Sequence, residues 1–499
     1  MSSRTADARP LSLALLLLTP AVSAQQPSPS FTEQVEVRVM DLDVVVTDRG
    51  GKPVTDLERE DFTVRVGGKV VPADYFARVE AGTIHAPDLS TASPDQVLAA
   101  YRQAEQAYVP RHFLVYVDVG HLASAGRKRG LEYVRDLVTR LGPTDRGRIV
   151  LFDRRSRELT GWTSSKEALF AALSRIEEFG PRTSRLDAER QALTEIDTVM
   201  GRNAREQSIH RESVARRYAE QSRTEVRELL RDVGSELTTL APLAGKKAFL
   251  FVSGGFEFQP GHAMGAYAAS QPNVLTSVVR DVSGDLEGIT RRANASEVTF
   301  YTLDARGLDS SGCGAPTDNP LLARSGVSFL ARQDSQEGLV ALARETGGIA
   351  LLSSNDVATG VSRVYEDTST YYSIGVTLTK IPASGHQTVR VDVNRSGVTV
   401  RARRGYTAMN EEDRARDRVQ AALRTNVSSN EIPLTLRTEP PTKAGKRYRF
   451  GISVVFPAAG LTFSPGENGR RAIADVSLAA MDDTGRMSET SKVQMMFTL

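Results

Sequence analysis

The chain has 499 residues, 40% of them hydrophobic, which is room for about three domains of ordinary size with cores of their own. Its 63 Lys and Arg nearly balance its 61 Asp and Glu, so no basic surplus points to nucleic acid. Cys313 is its single cysteine, which excludes internal disulfides and leaves stability to apolar burial.

Residues 1–24 read as a secretory signal: Arg4 and Arg9 precede an apolar run from Leu11 to Leu18, and Val22 and Ala24 precede a polar stretch. That apolar run is too short to span a bilayer. No later stretch reaches the roughly 18 to 20 apolar residues of a spanning helix, so no transmembrane segment is expected once the signal is removed. Residues 33–85 then show β texture, interrupted by the turn Asp48-Arg-Gly-Gly-Lys-Pro53 and by Gly67-Gly68, and are expected to form antiparallel strands of a sandwich.

Over 111–370 the texture changes to α/β. Phe113-Leu-Val-Tyr-Val-Asp118, Arg148-Ile-Val-Leu-Phe-Asp153, Ala248-Phe-Leu-Phe-Val-Ser253 and Val298-Thr-Phe-Tyr-Thr-Leu-Asp304 are apolar runs ending in a polar residue, as suits strands buried on both faces of a parallel sheet. Helical patterns lie between them at 128–141, at 165–176 and in a long segment ending near Leu240, whose charged part over 202–223 reads as a solvated helix. A glycine-capped helix over 338–348 and a strand from Ile349 follow, and Cys313 falls in a Ser- and Gly-rich loop. Strands alternating with helices imply a doubly wound, Rossmann-like open sheet. Residues 371–410 return to β texture, which leaves open whether they complete the first sandwich and make the α/β domain an insertion. A charged helix over 411–423 leads to strands over 428–499 that suggest a second sandwich, with its completeness open because the pattern at Val493 to Leu499 reads as an interrupted strand.

Ligands of open parallel sheets bind at the carboxyl ends of the strands, where Asp118, Asp153, Ser253 and Asp304 fall. Such oxygens suit Mg²⁺ or Ca²⁺, although polar residues also end strands simply because the chain reaches solvent. Phe113 to Asp118, Lys246-Lys-Ala-Phe-Leu-Phe-Val-Ser-Gly-Gly-Phe256, Thr299 to Leu308 and Leu342 to Gly348, in that order, resemble the von Willebrand factor A-related proteins of the Acidobacteria type. The stretch from Val44 to Phe62 and Arg401-Ala-Arg-Arg-Gly-Tyr406 resemble that family's flanking segments.

The resemblance implies a von Willebrand A-type domain flanked by β-sandwich modules. It also implies non-covalent binding of a protein or cell-envelope ligand at the face carrying Asp118, Thr183, Ser253 and Asp304. The family's adhesion site holds a divalent ion through an Asp-x-Ser-x-Ser loop, a threonine and a later aspartate. Here Gly120 and Leu122 stand where the two serines belong, and Val252-Ser253-Gly254 replaces Thr-Asp-Gly. Asp118 and Thr183 are therefore the residues that would hold Mg²⁺ or Ca²⁺ in a site expected to be vestigial, and no cofactor is expected.

Two readings compete. A serine hydrolase would use Ser253, Asp304 and His386 in that chain order, but Phe251 occupies the place of the first glycine of the nucleophile elbow. A structural envelope component would use the sandwiches for assembly. His121, near Asp118, could act as a base or ligand, although a lone loop histidine is more often a surface residue. No phosphate-cradling Gly-x-Gly-x-x-Gly or Gly-x₄-Gly-Lys-Ser/Thr follows any strand, which removes a nucleotide reading.

Overall fold

The computed structural model describes residues 39–88, 108–122, 124–179, 184–200, 203–269, 278–306, 327–352, 356–378, 385–407, 411–425, 434–444, 447–449, 451–458, 461, 463–466, 469–482 and 487–498. The signal segment 1–24, Thr183 and Cys313 lie outside the described residues.

The chain begins its sandwich with β1 (Val39–Thr47), β2 (Phe62–Val66), β3 (Lys69–Val71), β4 (Tyr75–Glu80) and β5 (Thr83–Asp88). It then builds the α/β sheet from β6 (Arg111–Asp118), β7 (Arg146–Phe152), β8 (Ser156–Thr163), β9 (Lys246–Ser253), β10 (Val298–Asp304) and β11 (Ala350–Leu351). The helices of this part are α1 (Ser124–Arg140), α2 (Lys166–Glu178), α3 (Ser184–Asp197), α4 (Ala204–Leu240), α5 (His262–Ala268), α6 (Ser283–Ala295), α7 (Val327–Glu345) and α8 (Val357–Ser369). The strands β12 (Tyr371–Thr377), β13 (His386–Val393), β14 (Thr399–Arg401) and β15 (Gly405–Thr407) return to the sandwich. Its sheets run β14-β1-β12-β4-β5 and β15-β13-β2-β3, so the α/β domain is inserted between β5 and β12.

Alternation along β1 decides what each of its faces meets. Met40, Leu42, Val44 and Val46 enter the sandwich core with Phe62, Phe76, Tyr372 and Ile374. The intervening Val45 packs instead with Val79 and Tyr371.

The α/β sheet runs β11-β10-β9-β6-β7-β8, parallel except for the antiparallel edge β8. The middles of β6, β7, β9 and β10 are apolar because both faces of the sheet are covered there. Val115, Val117, Leu250 and Val252 pack with Leu131, Val134, Leu173 and Val361 on one side. On the other, Leu114, Phe249 and Phe300 pack with Val226, Leu229, Leu237, Leu286 and Leu339. Tyr116 stacks 5.7 Å from Phe152 and 5.6 Å from Phe251, and its hydroxyl donates to Asp232 at 2.8 Å.

The expectation of a solvated helix over 202–223 is corrected: α4 is one 37-residue helix, and Val214, Ala215, Tyr218 and Ala219 are buried against Leu193, Ile196, Met264 and Val278. Those four residues form a narrow stripe at i, i+1, i+4 and i+5, diluted by the charges around it. The edge strand β8 and the helix α8 had no expected counterpart. β8 is polar and half exposed, and α8 starts at an Asp356 cap that accepts from Thr359 N at 3.1 Å.

A separate compact unit contains α9 (Glu411–Thr425). Here β16 (Thr435–Thr438) pairs with β19 (Ile452–Val455), and β17 (Thr442–Ala444) with β18 (Arg447–Arg449). A third sheet joins β20 (Ser464–Gly466), β21 (Gly469–Leu478) and β22 (Ser491–Thr498), and all of this pairing is antiparallel.

Where β1, β4 and β12 meet the starts of β6, β9 and β10, a cavity of about 210 Å³ is lined by Asp41, Tyr75, Lys246, Glu297, Tyr371 and Arg403 among others. Lys246 Nζ lies 2.6 Å from Asp43 and 4.8 Å from the Tyr371 ring centre. Arg403 donates to the Asn294 carbonyl at 2.9 Å and to the Asp41 carbonyl. Burial, and after it the charges of Asp43 and Glu297, push the Asp41 carboxyl from 3.8 up to about 7.

A raised acid favours the folded state only while protonated. Its contribution is fully present below pH 3.8 and is lost as pH rises through about 7. Asp41→Asn, which keeps an acceptor for Ser373, is expected to flatten this slope and to stabilise the protein at pH 8 by about 1–2 kcal/mol, after discounting for water in the cavity. Urea titrations of both proteins at pH 5 and pH 8 check this; equal pH slopes would refute it.

Candidate functional site

A parallel sheet opens a crevice at the strand carboxyl ends where successive connections leave in opposite directions. Here β6 is followed by β7 and β8 on one side, and the chain then crosses to β9 on the other, so the switch point lies between β6 and β9. Asp118 ends β6 and Ser253 ends β9. They meet in a hydrogen bond, Ser253 Oγ donating to Asp118 Oδ2 at 2.8 Å, and both residues are fully buried.

The turn Val119–His121 carries the chain back over this pair. His121 Nδ1 comes to 2.7 Å from Asp118 Oδ2, off the line of a hydrogen bond, and Nε2 has no partner. The expectation of a surface histidine is corrected, since its side chain is 7% exposed. Asp118 Oδ1 is also buried without a hydrogen-bond partner. A buried polar atom left unpaired costs about 1–3 kcal/mol, so two of them at the switch point are an expensive arrangement unless a ligand completes it.

The Gly254-Gly255 pair makes the arrangement possible. A Cβ on Gly254 would stand 2.1 Å from the His121 carbonyl oxygen. Gly255 takes φ +82, where a Cβ would stand 2.4 Å from the Ser335 carbonyl oxygen, and its amide donates to Ser253 Oγ at 3.0 Å. The loop after β9 is thus pressed between the His121 turn and α7.

Asp304 ends β10 in register with Ser253 but is already engaged. Arg306 donates to it through Nε at 2.9 Å and Nη2 at 3.1 Å, and Gln336 Nε2 at 2.7 Å. Sequence reasoning missed Arg306 and Gln336, although an arginine two residues beyond the aspartate was a visible signal. At this edge it is the partly exposed Arg306, not the buried Asp304, that reaches solvent.

The hydrolase alternative is corrected by geometry. Ser253 is bonded to Asp118 and Gly255, and Asp304 to Arg306. His386 lies on β13 of the sandwich, 3.2 Å from Thr407 Oγ1, so the three residues form no triad.

The donors at Asp118 do not fit a divalent ion either. Gly120 and Leu122 supply no side-chain oxygen, Asp118 Oδ2 is taken by Ser253, and Asp304 is neutralised by Arg306. Among the described residues no group of three His, Cys, Asp or Glu could hold a metal ion.

Beside His121 the strand ends and α4 enclose an open groove of about 490 Å³, lined by Gly120, Asp153, Arg154, Glu225 and Glu228 among others.

No family model matches the chain, and no curated protein matches it. Among solved structures it is similar to an aerotolerance-related membrane protein from Bacteroides fragilis, at 11% identity and TM-score 0.25, over 52% of this chain and 98% of that one. The conserved hypothetical protein BatB from Bacteroides thetaiotaomicron matches at 9% and 0.22, over 52% and 98%. A von Willebrand factor type A protein from Catenulispora acidiphila matches at 9% and 0.24, over 73% and 79%. At TM-scores this low the likeness does not extend to a shared site or a shared activity.

Ser253→Ala and Asp118→Ala are each expected to destabilise the fold by about 1–3 kcal/mol, and the double variant by less than their sum, because both remove the same hydrogen bond. Chemical denaturation of the four proteins measures the coupling; strict additivity would show that the bond contributes nothing.

Proposed function

We propose that the protein is an exported, non-enzymatic binding module that recognises a protein or cell-envelope ligand, without a metal ion, at the carboxyl edge of its α/β sheet. The observation that carries this reading is the pair of unpartnered buried atoms at the switch point, Asp118 Oδ1 and His121 Nε2, beside an open groove. A ligand that satisfied them would gain the energy that the free protein forgoes.

The resemblance to von Willebrand A-type domains supports recognition at this edge. The altered loop, with Gly120 and Leu122 in place of serines, supports recognition without that family's ion. The engagement of Ser253 by Asp118 and Gly255 supports the absence of covalent chemistry. Export rests on the signal-like residues 1–24, and among the described residues no helix is long and apolar enough to cross a membrane.

The protein without residues 1–24, immobilised and exposed to envelope extract in EDTA, should retain a component that His121→Ala fails to retain. Equal retention by both, or retention abolished by EDTA, would overturn the reading. Mg²⁺, Ca²⁺ and Mn²⁺ at millimolar concentration should leave the melting temperature within about 1 °C, because an ion that does not bind the folded state adds no stability. A rise absent in Asp118→Ala would instead establish a metal site.

A further inference from the structure

We propose that the cavity between the sandwich and the starts of β6, β9 and β10 is a second binding site, which takes one neutral sugar ring through the Asp41 carboxyl and the Tyr371 hydroxyl. It lies at the opposite end of the sheet from Asp118 and does not rest on the reading above.

Strand alternation builds one wall. Met40, Leu42, Tyr372 and Ile374 enter the sandwich core, so Asp41, Asp43, Tyr371 and Ser373, which alternate with them, project from the other face of β1 and β12, and all four line the cavity. Two polar atoms on this wall are free. Ser373 Oγ donates to Asp41 Oδ1 at 2.9 Å, while Oδ2 has no hydrogen-bond partner among the described residues. Tyr371 is 5% exposed, and its hydroxyl likewise has no partner among them. Neither atom is sealed inside protein, as Arg403 Nε is, so the surface that each keeps is cavity wall.

The lining decides what fits. Lys246 and Arg403 stand among Asp41, Asp43 and Glu297, so both signs of charge are present. An ammonium at the Tyr371 hydroxyl would crowd Lys246 Nζ, 4.8 Å from that ring's centre, and a carboxylate at Asp41 Oδ2 would meet the charges of Asp43 and Glu297. A hydroxyl group meets neither penalty. It both donates and accepts, so it bonds Oδ2 with or without a proton on Asp41, and bonds the phenol in either sense. Val79, Ile84, Val109 and Pro110 also line the cavity, and their side chains offer water nothing to bond. A sugar ring, with hydroxyls at its rim and C–H groups on its faces, suits such a mixed lining. At roughly 30 Å³ per water molecule, the cavity of about 210 Å³ has room for about seven waters, or for one sugar ring and not a chain. Glu297, whose side chain is 53% exposed, lines it too and marks its opening to solvent.

Saturation-transfer NMR on the protein without residues 1–24 tests this with glucose, galactose and mannose, set against glucosamine and glucuronate, which carry a charge of either sign on a ring of the same size. At least one neutral sugar is expected to bind more tightly than both charged ones. Tyr371→Phe, which keeps the ring, should weaken that binding about fivefold, and Asp41→Ala about tenfold. Glu60→Gln, at an exposed carboxylate between β1 and β2, should change nothing. Tyr371→Phe removes a single oxygen, so it carries the test should Asp41→Ala fail to fold.

Binding of none of the neutral sugars would overturn the proposal, as would a preference for glucosamine or glucuronate. Neutral-sugar binding that Tyr371→Phe leaves at full strength would place the sugar elsewhere on the protein and overturn it too. Capture from envelope extract at the carboxyl edge is read separately through His121→Ala, so either reading can fall without the other.

Discussion

The register of β1 against β12 is the constraint on which the rest of the structure depends. That ladder, Met40 opposite Val376 through Val44 opposite Tyr372, closes the sandwich across an insertion of more than two hundred residues and fixes where both ends of the inserted domain emerge. A slip of one residue would turn Asp41 and Asp43 into the core among Leu42, Val44 and Ile374 and expose the apolar set. The apolar face thereby holds the polar face in place. Asp43 is then positioned for Lys246 at the start of β9, and the Asp41 backbone for Arg403.

From that junction the parallel strands run outward. Seven or eight residues at about 3.3 Å each put their carboxyl ends roughly 20–25 Å from the sandwich, where the switch point opens to solvent. The two ends of the sheet carry different electrostatics. At the sandwich end, Lys246 pairs with Asp43 beside a small cavity, and the buried Asp41 carboxyl faces the like charges of Asp43 and Glu297. At the far end, Asp118 and His121 each leave a buried polar atom unmatched, while Asp304 is matched by Arg306.

Much of this architecture was legible in the residues. β6, β7, β9 and β10 announced themselves as unbroken apolar runs because helices cover both faces of the sheet. β8 escaped notice because an antiparallel edge strand needs no apolar run, and the packed half of α4 because four small or aromatic residues are lost among its charges. The meeting of Asp118 with Ser253 could be anticipated from their places at strand ends. The burial of His121 could not, since it depends on a later loop closing over it. The trace of that closure was Gly254-Gly255, where any side chain on Gly254 would collide with the His121 carbonyl.

The insertion also determines how this part of the molecule would carry tension. A pull applied at residues 39 and 407 enters through β1 and leaves through β15, which lie in the two different sheets of the sandwich, and passes between them through the core that Val44, Ile374, Val64 and Val389 share. The α/β domain hangs from the chain between β5 and β12, outside the line of load, until β1 is sheared from β12. The sandwich thus acts as a mechanical shunt, and the face at Asp118 and His121 keeps its geometry while the strands beneath it bear the force.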